Sequence, residues 1–412
     1  MSQSARTLHK LGRNGIRMSA WFNLIIGCTL FAAACAPSSP VPEQGTSSPE
    51  MTGENNTSTV TPTKEASIDL TLYRGNAQRT GVFDFPAIRS KPSVKWQTKV
   101  SSTWLMPPIL ADGTLYTGSG DGVLYALDTQ TGQEIWSTGG FRQLENAGAV
   151  AGDLIVVGGY DQRVRALDRH TGEVLWSFGT SSFVQASPLI LDDLVYIATD
   201  HALYALDLPS GKLQWETPTG KEGAYMGAPA YENGVIYTTG GKVLLAVEST
   251  SGKELWRTQR DEPFTALAVA NQMIYVGSFD GSFYAFDQQT GEEKWTFPSG
   301  GIFWAGPAVE EDTVYAGNDN MLYALHTQTG EERWHFQMVG RAVSDLTISD
   351  GVLYVSDSSH ELPNGPRHLY ALDAQSGEEL WSFEAVSTFL PAPALSEDVI
   401  YVTTRGEVFA LH

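Results

Sequence analysis

One six-residue phrase constrains this chain more than any other feature. Ser or Thr is followed by Gly, three variable residues and Trp. The copies end at Trp136, Trp176, Trp215, Trp256, Trp295, Trp334 and Trp381, and Trp96 in SVKWQTKV precedes the first copy by one period. Successive spacings are 40, 40, 39, 41, 39, 39 and 47 residues. A unit of this length cannot bury a core alone and must stack against its neighbours.

Each unit reads as four short strands. In the third they are QASPLIL, LVYIAT, ALYALD and LQWETP, with period-two alternation and Asp, Gly or Asn between them. The Gly of each phrase sits in a tight turn and suits a positive φ. The recurrent Trp is too large for one thin sheet and is expected to pack between adjacent sheets. Four-stranded units of about 40 residues arranged radially make a β-propeller. The chain starts with a lone fourth strand at Trp96 and ends with three strands, PAPAL, VIYVTT and VFALH. Together they make one unit. The expectation is an all-β, eight-bladed propeller of four-stranded antiparallel blades, closed by pairing of N- and C-terminal strands. Closure removes free edges. An open solenoid would leave both partial units unpaired.

Residues 1–34 read as a lipoprotein-type signal peptide. Arg6, Lys10, Arg13 and Arg17 precede an apolar run from Met18 to Ala34, followed by Cys35. Ala32-Ala33-Ala34-Cys35 resembles a bacterial lipobox, although Ala stands at −3 where Leu is usual. Ile25-Ile26-Gly27-Cys28 fits the local pattern better but would leave a very short apolar run before the cut. Cys35 is therefore the expected lipidation site, with Cys28 the alternative; ordinary cleavage or an uncleaved anchor are the remaining outcomes. Residues 35–68 form a Ser/Thr/Pro-rich tether reaching roughly 30 Å, and residues 69–412 form the propeller. The whole chain carries 26 basic and 47 acidic residues, a formal charge of −21, which argues against a nucleic-acid partner. Cutting before Cys35 would leave 22 basic residues against 47 acidic. A lipid, not charge, must then hold so acidic a protein on a membrane. The address is extracytoplasmic, on a bacterial membrane.

The Ala-Leu-Asp, Thr-Gly, Trp succession resembles the PQQ-type, quinoprotein-like propeller repeat over residues 69–412. LYRGNAQRTGV, residues 72–82, is similar to that family's leading segment. Blades four and six depart, with Glu248 and His326 where Asp128, Asp168, Asp207, Asp287 and Asp373 stand elsewhere. The Trp-Asp and Gly-His signatures of the rival WD40 propellers are absent. The resemblance implies either a quinone-dependent dehydrogenase with calcium or a non-catalytic relative, such as the lipoprotein propellers of outer-membrane β-barrel assembly. The dehydrogenases often carry a vicinal Cys pair; this chain has no Cys beyond Cys35. It also lacks an EF-hand-like loop, His-x-x-x-His, His-Glu-x-x-His and Gly-x-Ser-x-Gly. No catalytic residue, metal, PQQ or calcium is expected.

What remains is binding. In a four-stranded blade, the loops entering the innermost strand share one face with the loops between the second and third strands. Counting back four positions from the Pro or small residue at each innermost strand gives Trp104, Glu145, Val184, Tyr225, Phe264, Phe303, Ala342 and Phe389, with Trp304 and Phe183 beside them. The aromatic members, Trp104, Tyr225, Phe264, Phe303, Trp304 and Phe389, form a candidate binding rim, or else wedges that only stiffen the ring. The longest spacing maps to residues 357–368, DSSHELPNGPRH, whose His360, Arg367 and His368 make a candidate interaction loop. Asp121, Asp161, Asp200, Asp280 and Asp319 occupy the corresponding turns of other blades. They form turns, and together could favour a cationic partner segment. The expected role is a monomeric, non-catalytic, membrane-anchored protein-interaction scaffold in envelope or outer-membrane protein assembly. The alternatives are a quinone-dependent dehydrogenase or its degenerate relative, and a small-ligand or glycan receptor.

Overall fold

Alternating apolar residues and Asp/Gly turns produce short antiparallel strands throughout the chain. The computed structural model describes residues 70–220, 227–342, 344–358, 367–385 and 391–412; among these there is no helix. Blade 1 comprises Ile109–Ala111, Thr114–Gly118, Val123–Asp128 and Glu134–Gly139. Blades 2 to 7 repeat this order from Ala149, Leu189, Ala230, Phe264, Ala308 and Thr347. Blade 8 is composite: Ala394–Leu395, Ile400–Thr403 and Glu407–Leu411 are completed by Val94–Lys99 from the other end of the chain. Ser93 and His412 exchange backbone bonds of 2.9 Å. The fold is an eight-bladed β-propeller closed by its two ends.

The phrase Ser/Thr-Gly-x-x-x-Trp is a docking device between consecutive blades. Each of the eight Trp indoles donates its N–H, at 2.7–3.2 Å, to a backbone carbonyl of the next blade or its substitute. From Trp96 to Trp334 the acceptor is the residue just after the turn Asp, Glu or His: Thr129, Arg169, Leu208, Ser249, Gln288, Thr327 and Ala374. The indole face lies on the phrase's Gly in that next blade. A Cβ added at Gly132, Gly172, Gly211, Gly252, Gly291, Gly330 or Gly377 would come within 2.5–2.6 Å of the preceding blade's indole ring. These glycines also sit at φ of 67–75°. Two independent demands, space and backbone conformation, thus select Gly.

A β-bulge precedes each Trp. In blade 1, Ala126 faces Trp136 but Leu127 faces Glu134, so Ile135 is the extra residue. The same shift recurs in every blade. It leaves Ile135, Leu175, Leu255 and Leu380 exposed and disrupts the outer strand as a template for further pairing. A buried Tyr on the second strand reinforces the joint. Tyr116, Tyr196, Tyr275, Tyr315 and Tyr401 donate at 3.1–3.4 Å to the same carbonyls that the indoles reach. Glu248 and His326 keep the turn without Asp: Gly252 and Gly330 N–H still bond their carbonyls at 2.9 Å.

Blade 8 has no Thr-Gly turn, because the chain break falls there. Ile88 substitutes. Its carbonyl accepts from Trp381 Nε1 at 2.7 Å and its N–H donates to Tyr354 Oη at 3.2 Å. Residues 70–83 thread the axial channel. Leu70–Thr71 pairs antiparallel with Ala151 and Val150 of blade 2, and Val82–Phe83 pairs parallel with blade 7. Between these arms the segment crosses the channel, donating from buried Arg74 to Leu267 O at 3.0 Å and to Pro307 O. Arg79, 0% exposed, donates to Pro229 O at 3.0 Å and Pro188 O at 2.7 Å. Burial, then the charge of Arg74, pulls the Arg79 pKa down to about 9; the carbonyl acceptors face a guanidinium still protonated at neutral pH.

Replacing Gly211 with Ala should destabilise the ring by about 2–4 kcal/mol in urea unfolding, through a left-handed backbone and a forced indole shift. An unchanged midpoint would contradict the docking role. Burial also pushes Tyr196, Tyr237 and Tyr354 up to about 12 from 10.0. Their neutral forms therefore contribute stability that is complete below pH 10 and is lost as pH rises through 12. Tyrosinate absorbance should show a late-titrating class, with cooperative unfolding over that window.

Candidate interaction face

Among the described residues, the loops into the innermost strands and the second turns lie on one face, opposite the Thr-Gly turns. The structure divides the candidate rim in two. Phe264 and Phe303 are 0% exposed. Phe303 packs 5.3 Å from the Phe283 ring, and a Cβ on Gly277 would lie 2.4 Å from its own. Phe264 meets Phe286 edge-on at 5.8 Å. These two rings are wedges in the packing and do not reach solvent.

Trp104 and Trp304 do reach it. Trp104 is 38% exposed and leans on Gly120, while its neighbour Leu105 takes the buried position and bridges Ser119. In blade 2 the buried residue is Leu144, not Glu145, since no Pro marks the start of Ala149–Ala151 and the count slips by one. Leu144, Val184 and Phe303 each cover the Gly that ends a second strand: Gly118, Gly158 and Gly277. That glycine was the available signal for the buried register. Tyr225 and Phe389 lie outside the described residues.

Arginines cover several rings of this face, exposed and buried. Trp304 sits 4.8 Å from Phe279, with the Arg341 guanidinium 5.3 Å above it; both Trp304 Nε1 and Arg341 Nε bond Asp319, at 3.3 and 3.2 Å. Phe183, 38% exposed, stacks on Tyr160 at 5.0 Å and lies 6.0 Å from the Arg142 guanidinium. Tyr160 donates to Glu145 and accepts from Gln185. Burial, then the Glu145 bond, pushes Tyr160 up to about 12. Arg260 covers Phe286 at 5.4 Å, and Arg165 covers Phe141 at 4.9 Å. Val339, 74% exposed, is the most exposed of the large apolar side chains on this face among the described residues.

Most of the turn aspartates are committed locally. Asp161 pairs with Arg165 and Asp319 with Arg341, while Asp200 lies 3.8 Å from the His201 ring, beyond hydrogen-bond range. Asp280 accepts from Tyr284 at 2.6 Å and Asp121 from Ser101 at 3.1 Å. They do not form an open acidic field. The long loop of blade 7 also needs correction. Arg367 and His368 begin the strand Arg367–Asp373 and do not project from a loop; Arg367 is buried. His368 Nδ1 lies 3.2 Å from buried Asp357, which also accepts from Gly340 N, His368 N and Tyr370 Oη. Asp357 continues the preceding strand and draws the His368 backbone and ring into one hydrogen-bonded cluster with Tyr370. His360, Cys28 and Cys35 lie outside the described residues.

Among the described residues no side chains are grouped to hold the calcium of a quinone site. The described residues hold no group of three His, Cys, Asp or Glu able to bind a metal, whereas calcium takes six to eight oxygens. Arg74 and Arg79 of the threaded segment, bonded to inner-strand carbonyls, stand across the channel instead.

A family model described as outer membrane protein assembly factor BamB matches residues 90–225, 200–302 and 298–412. The BamB of Burkholderia pseudomallei is 33% identical over 114 residues, 27% of this chain and 29% of its own. The chain spans less than half the length of the first curated relatives it matches. Among solved structures, BamB from Moraxella catarrhalis superposes with a TM-score of 0.65, covering 78% of this chain and 99% of that one at 17% identity. Quinohemoprotein alcohol dehydrogenase from Comamonas testosteroni gives 0.69 over 82% and 79%, at 14% identity. At such identities the two structures share the fold alone.

The two kinds of ring should separate in stability measurements. Phe303→Ala should cost about 3–5 kcal/mol as a core truncation. Trp304→Ala should cost about 1 kcal/mol, the scale of an exposed stacking and cation–π contact. Equal losses at both sites would show that Trp304 is structural too.

Proposed function

The chain belongs to the propeller family described as outer membrane protein assembly factor BamB, and from that premise we propose that it is a non-catalytic scaffold for envelope proteins in outer-membrane protein assembly. The observation that carries the reading is the paired set of arginine-capped aromatics on the face opposite the Thr-Gly turns. Trp304 with Arg341, and Phe183 with Arg142, present flat apolar area beside fixed cations. Trp and Arg of this kind supply most of the binding energy at protein interfaces.

The threaded segment supports an orientation. Leu70 pairs with Ala151, the last residue of an innermost strand, so the chain enters the ring on the Thr-Gly-turn side. The extracytoplasmic, membrane-anchored address belongs to this same proposal. The likeness to quinohemoprotein dehydrogenases is one of fold, and the channel residues favour no dehydrogenase reading.

Capture from detergent-solubilised envelopes of the native host tests it. The tagged chain should recover a β-barrel assembly protein. A Trp104→Ala, Phe183→Ala, Trp304→Ala triple variant should lose about tenfold or more of that recovery, as hot-spot truncation predicts, with its melt close to wild type. Undiminished recovery by the triple variant would move the interface elsewhere.

A further inference from the structure

The axial channel is lined unevenly. In blades 4 to 7 the penultimate residue of the innermost strand points its N–H at the threaded segment. Tyr231, Val269, Val309 and Ile348 donate to Ala77, Gln78, Thr80 and Gly81 carbonyls at 2.8–2.9 Å. Blade 2 pairs with Leu70–Thr71, and in blade 3 the Pro188 carbonyl accepts from Arg79. Blades 8 and 1 stand on the far side of the ring from the crossing.

Register identifies what is left over. Val309 lies opposite Val314 in its own blade, Leu110 opposite Leu115 and Leu395 opposite Ile400. Leu110 and Leu395 therefore occupy the position whose N–H is spoken for in blades 4 to 7. Among the described residues no carbonyl accepts either N–H from the channel side. Against both lies a cavity of about 370 Å³, between the two arms of the threaded segment and blades 8 and 1. Leu72, Phe83, Ile109 and Pro393 give it apolar walls, and Thr71 and Asp84 add polar ones. A backbone donor held away from bulk solvent is costly to leave without an acceptor, and the cavity has room for one.

We propose that this slot takes a short extended peptide of a partner protein, added as a strand to the inner edge of blade 1 or blade 8. The channel already uses this chemistry twice. Leu70–Thr71 and Val82–Phe83 are two-residue strands laid on inner edges, one antiparallel and one parallel. An added strand would supply carbonyl acceptors, while apolar side chains fill the walls. The slot lies on the axis and does not involve the aromatic rim, so this inference stands or falls separately from the scaffold reading.

Amide exchange on the full chain provides the first test. Without added peptide, Leu110 and Leu395 amides should exchange about a hundredfold faster than those of Val309 and Ile348, a difference expected of open against bonded edges. The probe is a dansyl-labelled pentapeptide of alternating Val and Thr. It should bind saturably and slow both or one of the two amides about tenfold. Its backbone N-methylated counterpart should not bind. Ala394→Trp, which narrows the slot, should weaken the probe about tenfold or more, and Ala392→Phe is the replacement if that variant does not fold. Full protection of both amides in the free protein would overturn the proposal, as would absence of probe binding. Equal binding of the N-methylated peptide, or undiminished binding to the narrowed slot, would also overturn it. None of these outcomes bears on recovery of a partner by the aromatic face.

Discussion

An indole laid flat on a glycine holds this molecule together. The Trp of one blade needs a flat, Cβ-free surface in the next, and the Gly that provides it is also the residue able to turn at φ near 70°. The indole N–H then satisfies a carbonyl that the same turn leaves unpaired. Because each joint links neighbours, the eight joints act in series around a ring. A defect at one of them loosens both flanking blades, and closure makes every other joint depend on it.

The eighth joint shows how strongly this geometry is enforced. The sheet there is assembled from both ends of the chain, and no turn is available to receive Trp381. Ile88 takes the place of the turn, giving its carbonyl to the indole and its N–H to Tyr354. The segment that supplies Ile88 has already crossed the channel, with Arg79 buried among inner-strand carbonyls. The eighth joint and the channel filling are therefore products of one stretch, residues 70–90. Its two arms leave blades 8 and 1 uncovered, and the open edges of the channel follow from that asymmetry.

The same economy governs the exposed aromatic face. Positions that look equivalent in sequence split into wedges and exposed rings, according to whether a glycine on the second strand gives room for burial. Gly277 admits Phe303 into the core, and the next residue, Trp304, is left outside with Arg341 over it. Acidic turns on this face are spent on local partners. The face therefore presents ordered rings and guanidinium groups on a chain whose overall charge is −21.

Local, repeated constraints are legible in a single sequence. The spacing of Trp, the Thr-Gly turns and the fractional units at either end determined the blade number, strand order and closure, because each is written in residues close together or copied many times. Long-range, unrepeated contacts are not. LYRGNAQRTGV reads as a leader until the ring exists around it; only then do Arg74 and Arg79 find carbonyls up to 233 residues away. Which aromatic is buried, what Asp357 does to His368, and which inner edges stay open were likewise decided by the tertiary structure. Each depends on an acceptor or a vacancy that exists only after separate blades have been brought to the same axis.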